Sequence, residues 1–355
     1  MNLKSLGWNP SLESAFHEYQ EKGFELARIV SQEGNYYTAL GEKGELKGKV
    51  SGRMRYECIQ SGDLPVVGDW VAIDGNPQIR RMTIQAVLPR HSKFVRATYN
   101  KGNYEGDQVI CANVDFLFIV VGLDEEFNPN RLERYLAQAS VSGSKPVVIL
   151  NKSDLCKNLA RILRQAKAVA RDVPVVALSA KSGMGLNQIK EFLSEGKTGS
   201  LVGPSGVGKS TIINTLLGEE RFDTSEVRNY DAKGRHTTTH RELVLLPGGG
   251  MLIDNPGMRG IGVTGDQDVV GSTFEDIESL AKQCKFGDCQ HKTEPGCAVR
   301  AAIEDGTLSR EHFENYSRLQ RELRIVSMNK SQRARLGKDL SKASRVRRKM
   351  EKEGL

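Results

Sequence analysis

No stretch of about 18 consecutive apolar residues occurs anywhere in the 355-residue sequence, and Met1–Pro10 holds no apolar h-region. The first absence argues against a helical membrane span and the second against a secretory leader, so the cytoplasm is the expected compartment. A disulfide framework is missing too. Six cysteines are spread along the chain, and Cys58, Cys111 and Cys156 stand far apart, as buried thiols rather than bridge partners would. Evenly distributed positive charge is also lacking. The net charge is +7, yet from Arg318 onward thirteen Lys/Arg face four Asp/Glu, so this end alone carries more excess than the whole chain. A polyanionic partner is therefore expected at one end of the molecule.

The length suits two or three domains. Residues 24–95 read as five short strands, FELARIV, NYYTAL, ELKGKVS, GDWVAI and RMTIQAVLP, broken by turn residues and without a helical period. Such a run predicts a small barrel, OB-like or SH3-like. The polar, Gly-bearing NKGNYEGD at 100–107 predicts a linker. From Val114 apolar strands alternate with helical segments, the pattern of a doubly wound, mostly parallel sheet. Beyond about residue 270 the strands stop, and a helical segment around SREHFENYSRLQRELRIVS precedes the basic end. The expected division is a barrel with its N-terminal extension over 1–105, a nucleotide domain over 106–270 and a mostly α C-terminal domain over 271–355.

GPSGVGKS, Gly203 to Ser210, follows an apolar strand and opens a helix, which is the context a phosphate-binding loop requires. Its glycines let successive N–H groups turn toward phosphate oxygens, and the helix adds its positive end. Gly203, Pro204, Ser205, Gly206, Val207, Gly208 and Thr211 are the expected cradle, with Lys209 on the β/γ-phosphates and Ser210 on Mg²⁺.

NKSD, residues 151–154, closes the strand KPVVIL and matches the loop that reads guanine. In that pattern the Asp154 carboxylate accepts from guanine N1–H and the 2-amino group, Asn151 fixes the loop and base edge, the Lys152 stem covers the ring, and Ser153 completes the loop. ATP would leave that carboxylate unpaired, at about 1–3 kcal/mol or more. The next strand, VPVVAL, ends in Ser179, Ala180 and Lys181, where the Ala180 N–H is placed to meet guanine O6. Both loops lie at strand C-termini, where nucleotides bind in such sheets.

DNPG, Asp254 to Gly257, closes the strand MLID; Asp254 is expected near Mg²⁺ and the Gly257 N–H at the γ-phosphate. Between Ser210 and Asp254 lies KGRHTTTH, 233–240, with three threonines competing for the Mg²⁺-seeking switch role; Thr238 is favoured. The usual GTPase order runs phosphate loop, switch Thr, D-x-x-G, NK-x-D, SAK. Here NK-x-D and SAK come first, which is a circular permutation. Loops at one end of a sheet are neighbours in space whatever their succession in the chain, so the site survives the rearrangement.

Cys284, Cys289, His291 and Cys297 offer three thiolates and an imidazole, the tetrahedral complement of a closed structural zinc site; the alternative is a loop of reduced cysteines beside a surface histidine. In the barrel, Tyr36, Tyr37, Arg53, Arg55, Tyr56, Arg80 and Arg81 are candidates to stack on and neutralise RNA.

A small barrel, a permuted domain with GPSGVGKS and DNPG, and a C-terminal Cys/His cluster together resemble the RsgA (YjeQ/YloQ) GTPases of bacterial small-ribosomal-subunit biogenesis. The likeness covers nearly the whole chain, and motif order is its most specific element. It implies an OB-fold barrel, a permuted α/β P-loop GTPase domain and an α-helical zinc domain. It also implies GTP hydrolysis to GDP and phosphate stimulated by the 30S subunit, contact with 16S rRNA, late subunit maturation, one Zn²⁺ per chain, Mg²⁺ with GTP, no membrane, and a monomer. The family's usual third motif is D-[ST]-P-G, whereas Asn255 stands here; its side chain is not the metal or phosphate contact, so little change is expected. Ras-like enzymes place Gln after D-x-x-G, and this chain has Met258, which orients no water. Slow intrinsic turnover is expected, with His236 or a ribosomal group orienting the water, and Lys209 and Thr238 completing the catalytic set. The alternative is an RNA-binding module whose GTP/GDP site senses without significant turnover.

Overall fold

The computed structural model describes residues 2–61, 64–100, 103–222, 241–254, 273–328 and 332. Residues 1–98 with 107–262 form one compact unit and 99–106 with 263–355 a second.

The first unit contains strands β1 (Glu25–Glu33), β2 (Tyr36–Gly41), β3 (Gly44–Val50), β4 (Trp70–Asn76) and β5 (Arg81–Val87). Of these, β2, β3 and β5 alternate buried and more exposed side chains, whereas β1 and β4 bury both faces, their outward Leu26, Val30, Trp70 and Ala72 joining a second core. Pairing runs antiparallel from β4 to β1, β2 and β3, then parallel from β3 to β5, and β5 returns antiparallel to β4, so the barrel closes. Ala27, Ile29, Ala39, Leu46, Val71, Ile73, Met82 and Ile84 fill it. The parallel seam needs Gly48, because a Cβ there would stand 1.8 Å from the Met82 carbonyl oxygen. Tyr37 is 3% exposed within this core, so it is not available to stack on RNA as expected, whereas Tyr36 and Tyr56 are 56% and 69% exposed.

Three expectations for this region need correction. GRMRYECIQS forms a helix, α2 (Gly52–Ser61), between β3 and β4, the OB-fold arrangement. Of its described side chains only Met54 is buried, so it carries no apolar stripe and shows no helical period in sequence. The stretch at 100–107 is not a plain linker: β6 (Lys93–Asn100) and β7 (Asn103–Ala112) pair as a two-stranded sheet. A ladder forms on backbone hydrogen bonds and does not require apolar side chains at its end. Cys111 is buried as expected, but Cys156 is only half-buried at the edge of the core.

The nucleotide domain follows as β8 (Phe116–Gly122), α3 (Pro129–Ser142), β9 (Lys145–Asn151), α4 (Leu159–Ala170), β10 (Val175–Ala177), α5 (Leu186–Phe192), β11 (Thr198–Val202), α6 (Lys209–Leu217), β12 (Arg241–Leu245) and β13 (Met251–Asp254). Its sheet order is β10-β9-β8-β11-β13-β12, parallel except for β12. The strands are near-continuous apolar runs because both faces are covered. Leu132 and Leu136 of α3 and Ala166 and Ala170 of α4 pack on one face; Leu186 and Ile189 of α5 and Ile212 and Ile213 of α6 pack on the other.

Barrel and nucleotide sheet are joined. Strand β12 pairs antiparallel with β1, through Ser31 with Glu242 and Gln32 with Arg241. Beside this seam Arg28 is 1% exposed and donates to the carbonyls of Leu6, Gly68 (3.2 Å) and Asn113 (3.0 Å). A half-buried cation, Arg90, grips the fully buried Asp69 with both ends, Nε to Oδ1 at 2.8 Å and Nη2 to Oδ2 at 2.7 Å.

The second unit contains α7 (Glu275–Ala281), α8 (Ala298–Glu304) and α9 (Arg310–Ser327) around Phe274, Ile277, Val299, Ala302, Leu319 and Leu323. No helix among the described residues is long and apolar enough to cross a membrane.

Candidate nucleotide site and metal centre

Strand β11 lies between β8 and β13, and its C-terminal end releases the chain into residues 203–208 before α6 begins. Buried strand and amphipathic helix thus hold both ends of the phosphate loop. Pro204 and Gly208 are half-buried, Ser205 and Gly206 exposed, and Ser210 and Thr211 half-buried in the first turn of α6. Lys209 folds back over the loop, with Nζ 2.9 Å from the Gly203 carbonyl oxygen and 2.7 Å from that of Pro204. Burial pulls its pKa down to about 8, opposed by the negative charge of Asp254, which is 7% exposed at the end of β13. This ammonium is partly desolvated, and an incoming phosphate would restore the charge compensation that carbonyls supply only in part.

The NKSD loop sits at the end of β9, two strands away from the phosphate loop, and one side chain ties the two together. Asn151, 2% exposed, donates from Nδ2 to the Val207 carbonyl at 2.8 Å and accepts at Oδ1 from the Ala180 N–H at 3.0 Å. Three loops from three parts of the chain therefore meet on one amide. Only glycine fits at position 208, where a Cβ would come within 2.3 Å of Asn151 Nδ2 and φ is +95°. The Ala180 N–H expected at guanine O6 is thus donated to Asn151 here. Ser179 is buried and its Oγ accepts from the Ser182 N–H at 3.4 Å. Ser153 is buried, its N–H on the Leu178 carbonyl at 3.1 Å. Asp154 and Lys181 are exposed.

Two contacts carried no signal in the sequence. Lys152 adopts a left-handed backbone, φ 61°, and its Nζ meets Asp124 Oδ2 at 2.5 Å, so an acid from the loop after β8 holds the stem. Thr215 on α6 donates to the Ala180 carbonyl at 3.1 Å, fastening the helix to the SAK loop. Both depend on which loops the sheet order sets side by side. His236, Thr238, Asn255, Gly257 and Met258 lie outside the described residues. Ser210 and Asp254 supply the oxygen donors that suit a hard divalent cation.

Against this geometry, a family model described as RsgA GTPase matches residues 87–264. The chain belongs to the RsgA GTPase family. Members of the family are hydrolases acting on GTP, and that activity is this chain's as well. A protein of Opitutus terrae named small ribosomal subunit biogenesis GTPase RsgA is 43% identical, covering 91% of this chain and 90% of the relative. One of the same name from Leptospira interrogans is 39% identical over 96% of this chain and 94% of its own. Among solved structures, YjeQ from Thermotoga maritima superimposes with a TM-score of 0.61 at 27% identity, over 86% of this chain and all of the other. YloQ, titled a circularly permuted GTPase, shares the fold at a TM-score of 0.59 and 22% identity, covering 86% and 97% of the two chains. A further model, ABC transporter, matches 186–350, a span with the phosphate loop but neither base-side loop.

The second unit holds the four residues of the Cys/His cluster. The ligand atoms of Cys284, Cys289, His291 and Cys297 all lie within 4.8 Å of one another. His291 Nδ1 is 3.6 Å from Cys284 Sγ and 3.4 Å from Cys297 Sγ, and the two sulfurs are 3.9 Å apart. Those edges suit a tetrahedron with metal–ligand bonds of about 2.0–2.3 Å. The RsgA-family chain can thus hold a metal ion here. The cluster is rigidly presented. Cys297 caps α8, its Sγ accepting from the Arg300 N–H at 3.4 Å, and His291 takes φ 58°. The Glu294 carboxylate accepts the N–H groups of Gln290, Lys292 and Thr293 at 3.1, 2.7 and 2.9 Å. Its own backbone N–H, together with those of Lys292, Gln290 and Thr293, holds Glu294 down at about pKa 2, and these bonds lock the histidine loop.

Proposed function

We propose that this chain is a guanine-specific, Mg²⁺-dependent GTPase that docks on the 30S subunit through 16S rRNA, acts in late maturation, and leaves after hydrolysis. The observation that carries the reading is the Asn151 amide, which ties the NKSD loop to the SAK loop and to the phosphate loop. Asp154 reads guanine N1–H and the 2-amino group. Lys152, held by Asp124, lies along the base, and the Ser179, Ala180 and Lys181 loop closes its O6 edge. Residues 203–211 cradle the phosphates, and Lys209 exchanges its carbonyl partners for β- and γ-phosphate oxygens. Ser210 and Asp254, with Thr238, would hold Mg²⁺, which when bound neutralises charge between those phosphates. Gly257 donates to the γ-phosphate, and His236 orients the attacking water.

The second unit is proposed to bind structural zinc through three thiolates and an imidazole, four ligands that leave no place for a substrate. Barrel, zinc domain and basic end share the rRNA contact, and the functional division is 1–105, 106–270 and 271–355. A cytoplasmic monomer suits a factor that visits a ribosomal subunit. The relatives named as small-subunit biogenesis GTPases support the partner. Hydrolysis of GTP, ATP and XTP, with and without 30S subunits, tests the reading. Wild-type protein should prefer GTP and accelerate with 30S, and Asp154→Asn should transfer preference to XTP. Equal use of ATP and GTP by the wild type would overturn it.

A further inference from the structure

Outside the nucleotide and metal sites, one helix face carries charge of a single sign. From Cys156 to Arg171 the sequence holds five cations, Lys157, Arg161, Arg164, Lys167 and Arg171, and no acid. Helix α4 spans most of this run, started by Asn158, whose side chain accepts the Arg161 N–H at 3.1 Å. At 100° per residue the three cations inside the helix, Arg161, Arg164 and Lys167, fall within about a third of its circumference, with Lys157 just before the helix and Arg171 capping its end. Opposite them stand Ala166 and Ala170, 0% and 3% exposed, with Leu159, Ile162, Leu163 and Val169 packed on the core. The apolar face is already spent on the protein, so α4 has nothing to insert into a bilayer.

Some exposed cations elsewhere are compensated, as in Arg53 with Glu57 and Arg300 with Glu304, and others such as Arg55 and Lys181 stand singly rather than in a row along one helix. Arg161, Arg164 and Lys167 are exposed and form no ion pair among the described residues. The acids near the row are Glu191 of α5, across a groove of about 430 Å³ lined also by Lys167 and Arg171, and the exposed Asp172 next to Arg171; Arg161 and Arg164 do not line the groove. A row of cations one turn apart, about 5–6 Å, fits a regularly repeated anion better than a single carboxylate.

We propose that α4 grips an RNA phosphate backbone, so that the nucleotide domain itself touches rRNA. The inference rests on the 30S reading above. It is tested by binding of full-length wild-type protein and an Arg161→Ala/Arg164→Ala/Lys167→Ala variant to 30S subunits and to naked 16S rRNA across a salt series. Alanine keeps the helix, and none of the three residues belongs to the nucleotide site, so basal GTP hydrolysis should be unchanged. The log–log salt slope should flatten by about two to three, one for each lost phosphate contact, on both ligands. Arg161→Lys/Arg164→Lys should keep the wild-type slope. If wild type binds 30S but the triple variant has the same slope, the grip on α4 is refuted while the 30S reading stands. A variant weakened on 30S yet unchanged on naked rRNA would identify an acidic protein as the occupant and overturn the RNA assignment. Failure of wild type to bind 30S at any salt would remove both ideas.

Discussion

Replacing Asn151 by alanine removes a side chain that is 2% exposed and satisfies two groups at once. The Val207 carbonyl and the Ala180 N–H belong to residues 8% and 3% exposed, so water does not readily take over. Each orphaned group costs about 1–3 kcal/mol, and the two together about 2–4 kcal/mol once the relieved desolvation of the amide is subtracted. For a unit of this size that lowers Tm by about 5–12 °C. Nucleotide binding should suffer separately. If loop alignment is worth one net hydrogen bond, about 1.4 kcal/mol, GTP affinity falls about tenfold. Thermal denaturation of the nucleotide-free protein and titration with a fluorescent GTP analogue read the two effects. Asn151→Asp should be no milder at neutral pH, because it keeps the acceptor but sets a carboxylate against the Val207 carbonyl. An Asn151→Ala protein with Tm within about 1 °C and GTP affinity within about twofold of wild type would refute the claim that this amide assembles the site.

Burial holds Lys209 near pKa 8 in the nucleotide-free state, below its ordinary value of 10.5. The unfolded chain then binds more protons between those values, so Lys209 makes stability rise with pH across that window. GTP affinity should do the opposite, declining above pH 8 as the ammonium is lost, and Lys209→Met should remove that dependence in isothermal titrations. Asp69→Ala takes both carboxylate bonds from Arg90, which keeps the Leu64 carbonyl at 3.1 Å, and orphans the buried Val66 N–H, and should cost about 3 kcal/mol, read as a lowered Tm. Cys297→Ser should reduce bound zinc below one per chain in a colorimetric release assay and lower the helical circular dichroism. Guanine nucleotide affinity of the first unit should be unchanged, and an unaltered zinc content would contradict the ligand assignment.

Much of this molecule was legible because its elements obey local rules. Apolar runs such as VVIL, bounded by Asn151 and Lys145, read as buried strands, and GPSGVGKS between strand and helix marks a phosphate loop on chemistry alone. Helix α2 escaped because it buries Met54 and little else among its described side chains, and the hairpin at 93–112 escaped because a polar, Gly-bearing stretch resembles a linker. Tyr37 looked like its neighbour Tyr36, yet strand alternation sends one inward and the other out.

Residue types and motif order sufficed to mark the phosphate-loop region, the Cys/His cluster and the permutation, and to single out NKSD as the expected guanine loop, because each is a short-range pattern with its own chemistry. Tertiary structure alone decided that Asn151 would span Val207 and Ala180, that Asp124 would hold Lys152, and that β12 would join the nucleotide sheet to the barrel. Those contacts join residues tens to hundreds of positions apart. Their partners are chosen by strand order and packing, which no local pattern encodes.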